Sequence, residues 1–384
     1  MAIGRHGKRS QGVILAMRLH PLEFEDLPGW TVDEIVAAWP TYLASCRAIL
    51  GKLPPLRSGL APSPDMTEVC SRALGLSGDA ALAKFFTHNF RPFLVEPETG
   101  VLGGFVTGYY EPELEGSTVR TPEFSAPVLA RPGDLLDVRG KAIEGWDPVF
   151  EGARTTKSGD LEPYPTRVEI EAGGVDDVTA PILWLRDHVE VFFAQVQGSA
   201  RIRLQDGTRR RLVYAGRNGR PYTSIGKILI GRGEIPAEEM SLARCKDWLR
   251  ASGLALGQRG RDVLQANESY VFFRLENDSE AAVGPTGAQG IALTPLRSVA
   301  VDRTIWPYGT PVWIEADLSS AGLGDGASGR LMIAQDTGSA IIGPARGDLF
   351  IGSGDRAGDI AGLIRHAARF VVFAPAGMAD HGAA

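Results

Sequence analysis

The chain has 384 residues, is 44% hydrophobic and 22% charged, and carries a formal net charge of -6. Those are ordinary values for a soluble globular protein, and the sign is wrong for general binding to a phosphate backbone, so no nucleic-acid partner is expected. No uninterrupted apolar run approaches the roughly 18 residues that span a bilayer, and the length leaves room for two domains.

The first residues, MAIGRHGKRSQGVILAMRLH, pair basic side chains with a short apolar stretch that ends at Arg18. It is shorter than a signal-peptide core, and neither a small-residue cleavage site nor a cysteine stands close behind it. From residue 31 to about 95 the spacing predicts helices. T-V-D-E-I-V-A-A-W-P-T-Y-L-A-S-C-R-A-I-L opens with Thr31 as N-cap and Glu34 three residues later, and D-A-A-L-A-K-F-F-T-H-N-F continues in the same style.

From Val101 the texture changes to short aromatic or β-branched runs separated by turn signals, which read as strands. These are V-L-G-G-F-V-T-G-Y-Y, A-P-V-L-A-R-P, P-I-L-W-L-R-D, V-E-V-F-F-A-Q-V-Q-G-S and A-R-I-R-L-Q-D-G-T-R-R-R-L-V-Y-A-G, the last a hairpin around Asp206-Gly207. S-I-G-K-I-L-I and a segment running from a Ser241 cap to Gly253 return to helix. A polar, glycine-rich linker near 276–290 precedes four more strand-like runs, S-V-A-V-D-R, T-P-V-W-I-E-A, R-L-M-I-A-Q-D and R-F-V-V-F-A-P. With 47 glycines and 25 prolines, the class is α+β with β dominant.

The three cysteines, Cys46, Cys70 and Cys245, form no CxxC knuckle and no disulfide framework, and the six histidines form no HExxH or His-x-His cluster. Neither a phosphate-binding GxxxxGK[ST] loop nor a dinucleotide fingerprint is present. No metal and no cofactor are expected.

Chemistry is written in three aspartates. Asp302 follows S-V-A-V, Asp336 follows L-M-I-A-Q, and Asp348 precedes L-F-I-G-S-G. Singly each suits a turn or cap. Together, beside glycine-rich turns and delivered by strands, they suit glycosidic cleavage, in which a carboxylic acid of raised pKa protonates a leaving oxygen. G-Y-Y-E-P (108–112), Q-V-Q-G-S (195–199) and Y-A-G-R-N-G-R-P-Y-T-S-I-G-K (214–227) add tyrosine faces and hydrogen-bonding groups that fit a sugar polymer; packing and turn roles are the alternative.

These motifs, with N-E-S-Y-V-F-F-R, V-A-V-D-R-T-I-W-P-Y-G-T-P and A-Q-D-T-G-S-A-I-I-G-P-A-R-G-D-L-F-I-G-S-G, resemble in order the lytic murein transglycosylase A family over roughly residues 100–375. The last part looks like its three-aspartate (3D) module. The resemblance implies a double-psi β-barrel large domain with a second β domain inserted and a groove between them. The expected division is 1–111, 112–274 and 275–384. It implies a lytic exotransglycosylase, a lyase that cuts the MurNAc-β-1,4-GlcNAc bond of peptidoglycan without water and leaves 1,6-anhydro ends. By motif, Asp348 is the acid that then acts as base, Asp336 its close neighbour and Asp302 the third catalytic-site aspartate. Thr107, Tyr109, Tyr110, Gln197, Ser199, Tyr214, Tyr222 and Ser224 are the expected glycan contacts. The partners implied are glycan strands and proteins of wall synthesis or remodelling, for a monomer in the periplasm associated with the outer membrane, although the family's lipid-anchor cysteine is not visible. The alternatives are a muramidase on the same fold and a non-catalytic peptidoglycan-binding protein.

Overall fold

The computed structural model describes residues 17–76, 79–98, 103–141, 143–147, 149–277 and 284–377. The N-terminal leader reading and the middle of the 276–290 linker lie outside them. The chain divides into two compact units. One comprises Met1–Tyr110, Ala282–Gly352 and Arg356–Ala384; the other comprises Glu111–Ala281 and Ser353–Asp355.

The first unit starts with strand β1 (Met17–Pro21) and helices α1 (Val32–Leu50), α2 (Pro64–Leu74) and α3 (Asp79–Asn89), followed by β2 (Phe90–Pro97) and β3 (Gly104–Glu111). Thr31 caps α1 by accepting from the Glu34 amide at 3.4 Å, and Pro40 is carried on the exposed face of that helix. Ile35, Ala38, Trp39, Tyr42 and Cys46 recur at helical spacing and form the buried stripe. They pack with Phe85, Phe86, Phe90, Trp313, Leu331, Ile333, Val371 and Phe373. Each large side chain so covered contributes about 1.5–3 kcal/mol.

The second unit carries β4 (Glu113–Ser117), β5 (Ala126–Leu129), β6 (Leu136–Asp137), β7 (Gly152–Thr155), β8 (Leu161–Pro163), α4 (Arg167–Glu171), β9 (Pro181–Leu185), α5 (His188–Gln197), β10 (Ser199–Leu204), β11 (Arg209–Arg217), α6 (Ile225–Gly231), α7 (Leu242–Ala251), α8 (Arg259–Gln265) and β12 (Val271–Asn277). Its main sheet runs β12-β11-β10-β4-β9-β5, and a small one runs β6-β7-β8. The hairpin at Asp206-Gly207 forms as expected, with Asp206 accepting from the Thr208 amide at 2.8 Å.

One expectation is corrected. V-E-V-F-F-A-Q-V-Q is helix α5, not a strand. Asp187 caps it by accepting from the Glu190 amide, and Gly198 closes it in the left-handed region. The physical reason is that both sides of α5 are covered. Val191 and Ala194 pack on the sheet, while Val189, Phe192 and Phe193 pack on α6, α7 and α8. A helix apolar on two faces shows little of the polar stripe that reveals its period.

The chain returns to the first unit with β13 (Ser298–Ala300), β14 (Pro311–Asp317), β15 (Ala327–Asp336), β16 (Arg346–Ser353), α9 (Asp355–Leu363) and β17 (Arg365–Pro375). The sheet order is β1-β2-β17-β14-β15-β13-β16-β3, and β17 also pairs with β3. Six strands, β17-β14-β15-β13-β16-β3, therefore close on themselves. One edge of β17 serves two partners: Arg365–Ala368 pair with β3, and Val371–Pro375 pair with β2. Trp313, Leu331, Ile333 and Val371 meet the helices, whereas the alternating Val312, Ile314, Met332, Phe370 and Val372 are equally buried and fill the barrel. The β-dominated α+β class holds, and the closed barrel accords with the double-psi fold.

Candidate active site

Ala300 on β13 lies opposite two aspartates at once, Asp336 on β15 and Asp348 on β16. Residues directly opposite in a ladder share a face, so both carboxylates stand beside one small side chain. Gly347 fixes which face. A methyl group there would lie 3.3 Å from the Phe370 and Val299 side chains and 3.5 Å from Ile314. Gly347 thus looks into the barrel, and its neighbour Asp348 looks out.

Asp336 reaches the same face through a β-bulge. Val299 pairs with Ala334 but the next residue, Ala300, pairs with Asp336, leaving Gln335 as the extra residue. Without it, alternation would turn Asp336 the other way. Gln335 is itself fully buried and anchored: its amide nitrogen donates to the Thr41 carbonyl at 2.9 Å and to Ser45 at 2.8 Å, and its oxygen accepts from Ser298 at 2.6 Å. Ser45 in turn donates to Gln289, so helix α1 holds the bulge in place.

Strand β3 supplies the rest. Phe105, Thr107 and Tyr109 alternate along it, as Arg346, Asp348 and Phe350 do along β16, and they meet in three steps. The Arg346 guanidinium stands 5.4 Å over the Phe105 ring, the Thr107 hydroxyl donates to Asp348 Oδ1, and the Tyr109 and Phe350 rings lie 5.4 Å apart. The Tyr109 hydroxyl donates to Asp336 Oδ2 at 2.8 Å.

The two carboxylates differ in their partners. Asp336 accepts three hydrogen bonds, two at Oδ1 from the Ala288 and Thr337 amides at 2.9 and 2.8 Å and one at Oδ2 from Tyr109. Burial raises its pKa, and the Arg57 charge and these donors oppose the rise without cancelling it. Asp348 has one donor, Thr107, and Oδ2 has none among the described hydrogen bonds. Burial pushes its pKa up to about 6; Thr107 and Arg346 oppose the rise, and the charge of Asp336 adds to it.

Asp302 stands two residues beyond Ala300 and is turned to its own loops. Its Oδ1 accepts from the Thr304 amide and hydroxyl, and its Oδ2 accepts from the Gly343 amide at 2.9 Å. Tyr110 is buried on the opposite face of β3 from Thr107 and Tyr109, against Gly358. The remaining expected contacts belong to the second unit. Gln197 ends α5 and Ser199 begins β10. Tyr214 sits at a β-bulge of β11, Tyr222 is half-buried, and Ser224 caps α6 by accepting from the Lys227 amide. The 218–224 loop is fixed by two buried asparagines: Asn218 donates to the Pro165 and Glu268 carbonyls, and Asn267 accepts from the Thr223 amide. Gly219 has φ +72, and a Cβ there would fall 1.9 Å from the Gly152 nitrogen, so only glycine fits.

Sequence reasoning missed Arg57, Ala288, Ala300, Gln335 and Arg346. Gln335 and Arg346 were within reach as neighbours of the aspartates in A-Q-D and R-G-D, whereas Arg57 and Ala288 come from distant loops with no local signal. No group of three or more His, Cys, Asp or Glu among the described residues is placed to hold a metal ion.

Tyr109→Phe should lower turnover roughly tenfold by removing one hydrogen bond to a charged group, with the melting temperature near wild type. Unchanged kinetics would mean that the position contributes only its ring packing on Phe350.

The family model described as a 3D domain matches residues 297–374, the segment that carries Asp302, Asp336 and Asp348. The model described as the MltA specific insert domain matches residues 105–274. A membrane-bound lytic murein transglycosylase A from Vibrio cholerae is 40% identical over 208 residues, 53% of this chain and 54% of the relative; the chain thus spans about half the length of that protein. The crystal structure of a membrane-bound lytic murein transglycosylase from Agrobacterium tumefaciens is 34% identical with TM-score 0.82, covering 94% of this chain and 99% of that one. Escherichia coli MltA with bound chitohexaose is 25% identical with TM-score 0.66, covering 93% and 94%. The chain belongs to the membrane-bound lytic murein transglycosylase A family.

Proposed function

We propose that the protein is a lytic transglycosylase that cleaves the MurNAc-β-1,4-GlcNAc bond of peptidoglycan without water, with Asp348 acting as acid and then as base. The observation that carries this reading is the asymmetry of the two carboxylates. The pKa of Asp336 is also raised by burial, but with three donors on its oxygens and the Arg57 charge it is the better equipped of the two to carry the negative charge. Asp348, with a pKa raised to about 6 and a single donor, is suited to hold a proton and give it up.

In the first step Asp348 protonates the glycosidic oxygen as positive charge develops at C1 of the muramic acid, and the C1–O bond breaks. The ionised Asp336 beside it favours that charge. In the second step the Asp348 carboxylate takes the proton of the sugar's own C6 hydroxyl, whose oxygen bonds to C1. A tethered nucleophile replaces an activated water, so no second carboxylate is required. Asp336 is less open than Asp348 as a base for water, because the Ala288 and Thr337 amides take both lone pairs of Oδ1 and Tyr109 takes one of Oδ2. Asp302, pinned to Thr304 and Gly343, serves to hold the loops that flank the acid.

The chitohexaose bound by the Escherichia coli relative supports a β-1,4-linked amino-sugar chain as the ligand class. Tyr109, Gln197, Ser199, Tyr214 and Tyr222 are the proposed contacts to it. The relatives' printed names support a membrane-associated enzyme of the periplasm, where murein lies. No helix among the described residues is long and apolar enough to cross a membrane.

Digestion of purified murein tests the reading. Each new muramic acid end should be lighter by one water than a hydrolysed end and should resist borohydride. Reducing ends of full mass would replace the transglycosylase by a muramidase, and an undigested polymer would leave only a binding protein.

A further inference from the structure

We infer that Arg346 is a positioning residue which, through Thr107, dictates which oxygen of Asp348 carries the acidic proton. The inference rests on the reading of Asp348 as the acid. Arg346 Nη2 donates to Thr107 Oγ1 at 2.7 Å, and the Thr107 hydroxyl donates to Asp348 Oδ1. A guanidinium can only donate, whereas a hydroxyl has a single proton. With a Thr107 lone pair taken by Arg346, that proton is directed to Oδ1, and the acidic proton of Asp348 is left to Oδ2.

Arg346 is held for this task. Its Nη1 donates to the Gly347 carbonyl and, at 3.5 Å, to the Phe105 carbonyl, and its plane stands over the Phe105 ring. It makes no ion pair with a carboxylate among the described residues, so its charge is directed at Asp348, whose pKa it lowers. Without Arg346, Thr107 is free to rotate and accept a proton from Oδ1. The acid would then be protonated on the oxygen that faces its own strand partner.

The test is a double-mutant cycle on kcat, KM and the pH profile of murein cleavage, with Arg346→Gln, Thr107→Val and the double variant. Arg346→Gln should lower kcat about 10- to 100-fold, the range for a lost hydrogen bond to a charged group. KM should stay near wild type. The alkaline limb of kcat/KM should move to higher pH, because a charge that lowers the Asp348 pKa has gone. In the Thr107→Val background the same substitution should cost kcat little, and Arg346→Lys should restore part of kcat and of the limb. Equal kcat losses in both backgrounds would overturn the relay. A raised KM with unchanged kcat would show that Arg346 binds substrate instead. Wild-type protein that fails to cut murein would overturn the functional reading itself, a result distinct from either.

Discussion

Asp348→Asn should lower turnover by at least 10² to 10⁴, the contribution of a positioned general acid–base group, because one residue serves both proton transfers. The amide is nearly isosteric and can still accept from Thr107, so the site keeps its shape. Stability should move the other way. In the folded protein the Asp348 pKa is raised from 3.8 to about 6. The stability associated with its neutral form is therefore complete below the unfolded value and is lost as pH rises through 6. Above that pH the buried carboxylate is a liability on the order of 2–3 kcal/mol, which asparagine removes. Thermal melts at pH 8 should place the variant at or above wild type while activity collapses. A folded variant retaining more than a tenth of wild-type turnover would remove Asp348 from the chemistry.

Glu111→Ala should be among the most destabilising single changes in the second unit, at about 3–5 kcal/mol, the cost of leaving buried charges without their partner. The residue is the acid of G-Y-Y-E-P, a position whose motif suggests the glycan, yet its side chain is fully buried. Its Oε1 lies 2.9 Å from Arg211 Nε and its Oε2 3.1 Å from Arg201 Nε. Ser353 donates to Oε2 at 2.8 Å, and the Gly354 amide donates to the Glu111 carbonyl at 2.9 Å. The carboxylate thus gathers two arginines of the sheet and ties residues 353–355 into the same unit. Removing it takes the shared buried carboxylate from both guanidiniums, Arg201 keeping Glu113 at 3.3 Å. Thermal unfolding should show a midpoint lower by roughly 6–20 °C. A loss under about 1 kcal/mol, with murein binding reduced instead, would make Glu111 a ligand-facing residue.

What the sequence disclosed follows from how local each signal is. Thr31 and Ser241 announce their helices because capping involves only the next three residues. Asp206-Gly207 announces its hairpin for the same reason. Helix α5 was hidden because neighbours on both sides, distant in sequence, made its polar face unnecessary. The aspartates were legible as residues but their convergence was not, since it depends on a single extra residue, Gln335, and on the register of three strands about Ala300. Their difference in character was still less accessible, because the Ala288 amide and the Arg57 charge that favour ionised Asp336 come from remote loops. Tyr110 and Ser224 show the converse: one is buried on the far face of its strand and the other caps a helix.

The central claim is that the attacking oxygen belongs to the substrate and that Asp348 handles both protons. Digesting purified murein in water enriched in oxygen-18, followed by mass analysis of the muropeptides, tests it most directly. The account predicts unlabelled anhydro ends, absent from digests with Asp348→Asn. Oxygen-18 at the new muramic acid C1 would contradict it, because it would mean that water had made the bond.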